Sequence, residues 1–583
     1  MGKGNRPTLG ARFRRWAAGG VVAIGLLPLS AAINTPTVSA TDNFCANLGH
    51  GINASSGAHM YCDYAASHKP GQVKSRVAAR AARSEHNSQG EARQFGNNVD
   101  SASPQEDQAP ATQQSYGQSE TSIAAIGSYV VHAWNDATGF FTPCPSPMYK
   151  EELSGYGFSS DGGRTFTDMG GLPNDCTTGF FYFGDPSVET WQTGGHTYFY
   201  ISGLYINFST GQSDIAMDAC TVNGAGASST LECNMPTIIA TGGAGDFLDK
   251  DYFSIDPARG LLYNSYTRFN SSPSSPDFQG QIELARCDLT DPANPNCSPG
   301  ASPGPYYVVQ APQTCENEGS YPAVDLRSGD VYVAWEYNWA TDLGPGAGAP
   351  VSCIVTPHEN RLAFVPGACL TATPCTAAPK QTAISVVSID LAFVPGYNRV
   401  PGVVGNAPPG DFPRIAVSDP AGTVTIAWND ARRIPTADIL LQSFELGSLA
   451  PVQDAPVRLN ADGGPNWNVL PALRNADADG RLNVSWYQQR EPGALTDVMA
   501  ALRVDPRTND TPGNVRVTTG PTGWLNVSSD IVPNFGDYTD NYVLATASAP
   551  YTGTVLFVSW SDGRLGLPQP FAARTGEDGQ NGQ

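Results

Sequence analysis

One short pattern recurs seven times between residues 119 and 576, and this repeat constrains the fold more than any other feature. Each copy runs from a polar or acidic residue through a short apolar strand and a glycine-containing turn into a second strand. The second strands end at Trp134, Ser202, Tyr266, Trp335, Trp428, Trp486 and Trp560. A unit this short cannot bury both faces of its own sheet, so the copies are expected to stack on one another.

The internal composition of each copy predicts a four-stranded sheet. Val, Ile, Tyr and Trp dominate the strands, and turns such as 256–260 and 418–422 combine Asp, Pro and Gly. Third strands follow at 214–217, 281–286, 438–441 and 497–500, and a weaker fourth comes after them. Four strands in each of seven copies predict an all-β, seven-bladed β-propeller. A six-bladed propeller and a pair of β-sandwiches are the alternatives.

The last copy ends soon after its third strand, 569–574. A propeller needs a fourth strand there to complete the blade. We therefore predict that a strand from about residues 105–118 closes the ring.

The N-terminal region predicts export. Basic residues precede the apolar segment 17–29, and small residues follow it, which is typical of a signal peptide spanning residues 1–40. A membrane anchor is the alternative. Residues 41–118 are expected to form a disordered or weakly structured linker with a small Cys-stapled knob, residues 119–576 the propeller, and residues 577–583 a disordered tail. We expect a secreted, extracellular protein.

The cysteine content agrees with export. The chain has 12 cysteines, and an even number in an exported protein predicts disulfide bonds. The predicted pairs are Cys220–Cys233, Cys287–Cys297, Cys369–Cys375, Cys45–Cys62, Cys144–Cys176 and Cys315–Cys353.

The net charge limits the classes of molecule that are expected to bind this protein. Lys and Arg number 33 and Asp and Glu number 54, which gives a formal net charge of −21. An acidic chain cannot replace the counterions of a phosphate backbone, so no nucleic-acid partner is expected. After the N-terminal segment, no stretch reaches the ~18 apolar residues of a transmembrane helix. We expect a monomer that meets an extracellular glycan or polysaccharide.

The segment Ser159-Ser160-Asp161-Gly162-Gly163-Arg164-Thr165-Phe166 matches the Asp-box pattern S-x-D-x-G-x-T-[WF]. With the repeat, this pattern makes residues 119–576 resemble the sialidase-like (BNR repeat, Asp-box) secreted propellers. The resemblance implies a hairpin between the third and fourth strands of a blade, with Asp161 bonded to the turn backbone. It also implies a glycoside hydrolase of sialidase-like type. Sialidases of this superfamily have six blades and several Asp boxes, whereas this chain has seven modules and one strict box.

Alignment of the modules places one residue of each at the start of its inner strand. These residues are Glu120, Asp185, Asp251, Ser320 (with Glu318 nearby), Asp411, Asn468 and Asp537. Inner strands line the channel of a propeller, so their first residues are expected to form an acidic ring at one mouth. The ring has three interpretations: a structural role, a Ca²⁺ site that uses Asp185, Asp251 and Asp411, or catalytic carboxylates. No cofactor is expected to be required, and Ca²⁺ is a possible ligand.

Aromatic and basic residues accompany the ring. The predicted catalytic set is Asp251, Asp411 and Asp537 as acids, with Tyr252 and Tyr538 as stacking or nucleophilic groups. The predicted substrate-binding set is Arg268, Arg414, Arg432 and Tyr321, with the arginines as anion clamps. For Arg432, a simple ion pair with Asp430 is the favoured interpretation. The function predicted from these features is sialidase-like hydrolysis of extracellular glycans, and the alternatives are a polysaccharide lyase and a non-catalytic propeller that binds glycan or protein.

Overall fold

The structure is a computed structural model of the chain. It describes residues 95–102, 118–136, 153–207, 210–243, 246–270, 279–297, 306–313, 316–339, 358–371, 378–387, 412–432, 437–461, 466–490, 495–527, 536–545 and 555–575. All of them belong to one compact unit, Val38–Gln583. The predicted signal peptide, Cys-stapled knob and C-terminal tail lie outside the described residues.

The described chain forms seven antiparallel sheets, which we number as blades in chain order. Blade 1 contains β2 (Gln118–Ile126), β3 (Tyr129–Asp136), β4 (Ser154–Ser159) and β5 (Thr167–Gly171). Blade 2 contains β6 (Phe180–Tyr182), β7 (Ser187–Thr193), β8 (His196–Asn207), β9 (Gln212–Asn223), β10 (Thr230–Cys233) and β11 (Thr237–Thr241). Blade 3 contains β12 (Asp246–Asp256), β13 (Leu261–Asn270), β14 (Gln279–Asp288) and β15 (Tyr306–Gln313). Blade 4 contains β16 (Glu316–Val324), β17 (Val331–Trp339), β18 (Glu359–Val365) and β19 (Lys380–Ser385).

The remaining three blades follow the same plan. Blade 5 contains β20 (Arg414–Ser418), β21 (Thr423–Asp430), β22 (Asp438–Glu445) and β23 (Val457–Arg458). Blade 6 contains β24 (Asn466–Ala472), β25 (Leu482–Arg490), β26 (Leu495–Val504), β27 (Asn514–Arg516) and β28 (Thr522–Gly523). Blade 7 contains β29 (Asp540–Val543), β30 (Leu556–Asp562), β31 (Gln569–Arg574) and β1 (Val99–Asp100). The described helices are single turns, such as Gly367–Thr371, and none of them is long and apolar enough to cross a membrane.

Neighbouring sheets contact one another in chain order. Each inner strand contacts the next in the series β2, β7, β12, β16 and β20. Strand β24 contacts blade 5 through β21 and β22, and β29 contacts both β24 and β2. The seventh sheet therefore meets the first, and the fold is a seven-bladed β-propeller, as the repeat predicts. The six-bladed alternative and the pair of sandwiches are wrong, because all seven modules form sheets in one closed circle.

An N-terminal strand completes the last blade. In β1, Val99 pairs with Ala572 and Asp100 pairs with Phe571 of β31. The closing strand thus comes from the N-terminal side, as predicted, but a few residues earlier than 105–118. Gln118, the described residue of that predicted segment, begins the inner strand β2 instead.

The tryptophans that mark the repeat lie in the core. Trp134, Trp428 and Trp560 are fully buried, and each indole N–H donates to an aspartate two residues later in the chain. That aspartate satisfies an indole donor that would otherwise be buried without a partner. The Trp-x-Asp sequence at the end of the second strand is therefore a packing device in blades 1, 5 and 7.

The segment with the Asp-box pattern lies between β4 and β5, the third and fourth strands of blade 1. Asp161 Oδ1 accepts the backbone N–H groups of Arg164 and Thr165, each at 3.0 Å, and Asp161 Oδ2 accepts the Thr165 hydroxyl at 2.7 Å. These bonds lower the pKa of Asp161, although its partial burial opposes them. The aspartate therefore holds a hairpin turn.

Two of the predicted disulfides are present, Cys220–Cys233 and Cys287–Cys297. The first joins paired positions of β9 and β10 at the outer side of blade 2. Cys369 is also disulfide-bonded. The partner predicted for it, Cys375, and the remaining three predicted pairs involve cysteines outside the described residues or side chains.

Candidate functional site

The inner strands begin with a kink in the backbone. Glu120, Lys250 and Gly319 have positive φ values of 55°, 55° and 64°, and each lies where the pairing of the inner strand with the second strand shifts register. A β-bulge of this kind inserts an extra residue into the strand and changes the direction in which the local side chain points. Lys250 therefore occupies in blade 3 the position that Glu120 has in blade 1. The alignment of Asp251 with Glu120 was one residue out of register.

Lys250 extends from blade 3 to the acids of three other strand starts. Its Nζ lies 2.9 Å from Asp537 Oδ2 and 3.6 Å from Asp185 Oδ2, and all three side chains are fully buried. Glu120 joins them, because its Oε1 accepts the backbone N–H of Asp537 at 2.9 Å and its Oε2 accepts the Asn135 side-chain amide. We call Glu120, Asp185, Lys250 and Asp537 the lysine cluster.

Electrostatics in the lysine cluster follow from burial. Burial lowers the pKa of Lys250, but the carboxylates of Asp185, Asp537 and Glu120 outweigh it and hold that pKa well above its ordinary value. Burial, reinforced by Asp537 and Asp185, raises the pKa of Glu120 well above its ordinary value. The carboxylates therefore favour the charged form of Lys250, and burial favours the neutral form of Glu120, which reduces the repulsion among the acids.

A second cation lies beside a group of tyrosines. The Arg414 guanidinium is 3.7 Å from the centre of the Tyr321 ring and about equally far, 5.4 and 5.5 Å, from the rings of Tyr252 and Tyr538. Tyr252 stacks on Tyr321 with a centroid distance of 3.6 Å and meets Tyr538 edge-on at 5.2 Å. Arg414 also donates to the carbonyls of Thr539 and Pro471. Its burial lowers its pKa to about 10.

A third cation, Arg474, follows the inner strand of blade 6. Its guanidinium lies 2.6 Å from Asp540 Oδ2 of blade 7 and 3.2 Å from Glu189 Oε1 of blade 2. Glu189 also accepts the Tyr542 hydroxyl at 2.9 Å. Burial lowers the pKa of Arg474, and Asp540 and Glu189 outweigh it and raise the pKa above its ordinary value.

Lys250, Arg414 and Arg474 thus come from blades 3, 5 and 6, and each contacts blade 7. We call these three residues the cation column. Side chains of the protein itself occupy the interior between the inner strands. The acidic ring predicted at an open mouth is instead an enclosed set of charges around Lys250, and this is the main correction to the sequence-based view of the site.

Asp251 lies beside the lysine cluster but outside it. The side chain is fully buried, and neither carboxyl oxygen makes a well-formed hydrogen bond within the described part of the chain. Burial raises its pKa well above the ordinary value, although the neighbouring Ser202 hydroxyl opposes this. Burial therefore favours the protonated form of Asp251.

The structure separates the other predicted arginines from this region. Arg268 pairs with Asp246 at 2.7 Å and with Glu283 at 2.8 Å. Arg432 pairs with Asp430 at 2.7 Å, the favoured interpretation of that residue. Both guanidinium groups are engaged by carboxylates of their own blades, so only Arg414 of the predicted clamps lies with Tyr252, Tyr321 and Tyr538.

One of the three residues predicted to bind Ca²⁺ pairs with a lysine instead. Asp185 faces the Lys250 ammonium, and Asp411 lies outside the described residues. Within the described ranges, no group of three or more His, Cys, Asp or Glu side chains is arranged to hold a metal ion.

Sequence reasoning missed Lys250 and Arg474. Lys250 lies between two aspartates, and no local motif marks it as the inward-facing residue of the strand start. Arg474 follows its strand without any motif, and its partners Glu189 and Ser122 are more than 280 residues away in sequence. Only the closed ring brings them together.

No protein-family model and no curated protein matches the chain. Among solved structures, an α-L-arabinofuranosidase from Fusarium graminearum has a TM-score of 0.39 at 9% identity, covering 83% of this chain and 98% of that one. An α-L-arabinanase from Penicillium chrysogenum has a TM-score of 0.39 at 11% identity, covering 82% and 98%. A Trypanosoma rangeli sialidase has a TM-score of 0.36 at 7% identity, covering 79% and 55%. At these TM-scores and identities, the similarities assign neither a family nor an activity to the chain.

Proposed function

We propose that this protein is a secreted, carbohydrate-active β-propeller, and that it is a sialidase-like glycoside hydrolase acting on extracellular glycans. Its reacting groups would be those at the start of the inner strands of blades 3 and 4. Asp251 would donate the proton to the leaving oxygen, Tyr252 and Tyr321 would contact the sugar, and Arg414 would supply positive charge beside them.

One observation carries this proposal. Buried polar groups nearly always have hydrogen-bond partners, and a cluster of exceptions points to a functional site. Asp251, Ser320, Tyr252 and Tyr321 are buried at adjacent strand starts, and their side-chain oxygens have no well-formed hydrogen bond to another described residue. Hydroxyl groups of a sugar provide both the donors and the acceptors that this set requires.

Burial shifts the pKa of Asp251 in the direction that the chemistry needs. A general acid in glycoside hydrolysis must be protonated near neutral pH, and burial is the usual means of raising a carboxyl pKa for that purpose. Burial acts in this direction on Asp251. Asp537 and Asp411 remain the candidates for the second carboxylate, although Asp537 is held by Lys250.

The test is a hydrolysis panel of sialosides and neutral glycosides, with wild type and Asp251→Asn. Loss of a general acid costs about 10²- to 10⁴-fold in rate, so we expect at least a 100-fold lower kcat for the variant. Tyr252→Phe should lower kcat/KM. Tyr263→Phe serves as the matched control, because it alters another buried tyrosine hydroxyl that has no hydrogen-bond partner among the described residues. Full activity of Asp251→Asn would remove Asp251 from the mechanism.

The non-catalytic alternative is a propeller that binds extracellular glycan. The complete burial of Asp251 and of the lysine cluster favours it, because a reacting carboxyl has to meet its substrate. Binding of a glycan from the panel without turnover, unchanged by Asp251→Asn, would establish this function in place of hydrolysis.

Export is part of the same proposal. The bonds Cys220–Cys233 and Cys287–Cys297 support it, because disulfides persist in oxidising compartments. The mature N-terminus of protein recovered from the culture medium should fall near residue 32 or 41. Protein retained in the cytoplasm with an intact N-terminus would contradict export.

A further inference from the structure

The ring is closed by a short N-terminal segment, residues 95–102, which we call the closing segment. The Gly96 N–H donates to the Arg574 carbonyl at 2.9 Å. At the other end of β1, the Ser101 N–H donates to the Pro570 carbonyl, also at 2.9 Å. A strand held over so short a length is expected to detach far more often than the long strands of the other blades.

The closing segment also contacts the blades on both sides of blade 7. The Asn98 side chain donates to the Val517 carbonyl at 3.0 Å and accepts the Thr519 N–H at 2.6 Å, both between β27 and β28 of blade 6. Ser101 Oγ lies 2.8 Å from His132 Nδ1 of blade 1. Release of the segment would therefore remove contacts to blades 6, 7 and 1 together.

Asp100 of the closing segment lies near a carboxylate of blade 7. It pairs with Phe571 of β31, which in turn pairs with Trp560 of β30. Asp562, two residues further along β30, acts on the charge of Asp100. Arg564 also faces Asp100, but its guanidinium already pairs with Asp562 at 2.6 Å. The positive charge on this side is therefore shared between two aspartates.

A carboxylate of blade 1 also lies near Asp100. The Ser101 carbonyl oxygen approaches Gly157 of β4 so closely that a Cβ on this glycine would be 2.9 Å from it. Gly157 pairs with Asp168 of β5, and Asp168 acts on the charge of Asp100. His132, a further titratable group of blade 1 beside the closing segment, favours its neutral form, because burial lowers its pKa to about 3.

The Asp100 side chain is poorly placed to carry a charge. Its Oδ1 accepts the Ala102 N–H at 3.2 Å, whereas its Oδ2 is buried and makes no hydrogen bond within the described residues. Burial, reinforced by the two neighbouring carboxylates, raises the pKa of Asp100 to about 7, although the Ala102 N–H and Arg564 oppose this. In a released segment the same side chain would be in water, with an ordinary pKa of ~3.9.

We propose that Asp100 makes closure of the ring pH-dependent, so that the closing segment is held most tightly in acid and detaches more often at neutral pH. The closed ring favours the protonated carboxyl, and the released segment favours the carboxylate. The ratio of released to closed protein therefore rises by at most about tenfold per pH unit between about pH 4 and 7, and levels off above about pH 7, where both forms are ionised. This behaviour does not depend on hydrolysis at Asp251.

The test is hydrogen–deuterium exchange of the whole protein at pH 5, 6, 7 and 8, with rates corrected for the intrinsic pH dependence of amide exchange. Protection of residues 95–102 should fall by about three- to tenfold per pH unit from pH 5 to 7 and should level off between pH 7 and 8. Strand β17 of blade 4 should stay more strongly protected at every pH. Equal protection of the two segments would mean that the whole protein unfolds, and would overturn the proposal.

Three substitutions distinguish Asp100 from the other acids of the chain. Asp100→Asn keeps the oxygen that accepts the Ala102 N–H but carries no charge, so protection of the closing segment should not vary with pH. Asp168→Asn removes a neighbouring carboxylate, so the fall in protection should end at a lower pH. Asp510→Asn, at an exposed aspartate of blade 6, should behave like the wild type. Protection that is independent of pH in the wild type, or a pH dependence that persists in Asp100→Asn, would overturn the proposal.

Discussion

Replacement of Lys250 with methionine removes the ammonium group that lies between Asp185 and Asp537. Methionine keeps a similar length and volume, so the change is chiefly one of charge. With an effective dielectric constant of about 20, the contacts at 2.9 and 3.6 Å correspond to ~6 and ~5 kcal/mol of attraction. The variant also avoids the desolvation of the ammonium, which costs several kcal/mol. We expect a net loss of about 3–5 kcal/mol in the free energy of unfolding at pH 7.

The assay is equilibrium unfolding in guanidinium chloride, followed by tryptophan fluorescence. The loss should shrink below about pH 5, because protonation of the two aspartates removes the unpaired charges that the variant leaves behind. In the double variant Lys250→Met/Asp537→Asn, one of those charges is absent at every pH, so part of the stability should return. A free energy of unfolding within 1 kcal/mol of wild type at pH 7, or a loss independent of pH, would refute the role assigned to Lys250.

Three further predictions concern other parts of the ring. Arg474→Met should lower the free energy of unfolding by about 3–5 kcal/mol, whereas Arg432→Met, at a pair whose arginine is 39% exposed, should change it by at most about 1 kcal/mol; denaturant titration of both variants checks this. Burial and the neighbouring Asp325 raise the pKa of Asp419 to about 7. This shift contributes stability that is fully present below the unfolded-state pKa of ~3.9 and is lost as the pH rises through 7. Asp419→Asn should therefore unfold with a weaker pH dependence between pH 5 and 8, by about 1–2 kcal/mol after allowance for partial exposure, and identical pH profiles would contradict this. Deletion of residues 1–102 removes β1 and leaves β31 unpaired on its outer side, so the melting temperature should fall by several degrees, and an unchanged melting temperature would show that β1 does not hold the ring closed.

The architecture was predictable because the repeat is a local property of the sequence. Trp134, Trp428 and Trp560 mark equivalent positions of the second strands, and the Asp161 hairpin lies where the pattern places it. The existence of a closing strand was predictable, because the seventh module lacks a fourth strand. Its location was not, because a two-residue strand such as Val99–Asp100 has no periodicity to recognise.

The interior was less predictable, and the reason is geometric. A bulge with positive φ shifts the inward position by one residue, so Lys250 rather than Asp251 faces the acids. Nothing in the local sequence distinguishes these two registers in blade 3. Arg474 illustrates the same limit, because its partner Glu189 lies on blade 2, 285 residues away in sequence, and meets it only inside the closed ring.

The cation column also explains how an acidic ring can exist inside a propeller. Several carboxylates at neighbouring strand starts would repel one another in a buried setting, so the fold requires either protons or cations among them. Burial favours the protonated form of Glu120, and Asp185 and Asp537 share the Lys250 ammonium. A reaction at these acids would therefore have to displace Lys250 from two carboxylates. The free-energy cost would be comparable to the stability that the Lys250 ion pairs contribute. Asp251 lies outside that pair, and burial favours its protonated form, which makes it the acid best placed to react.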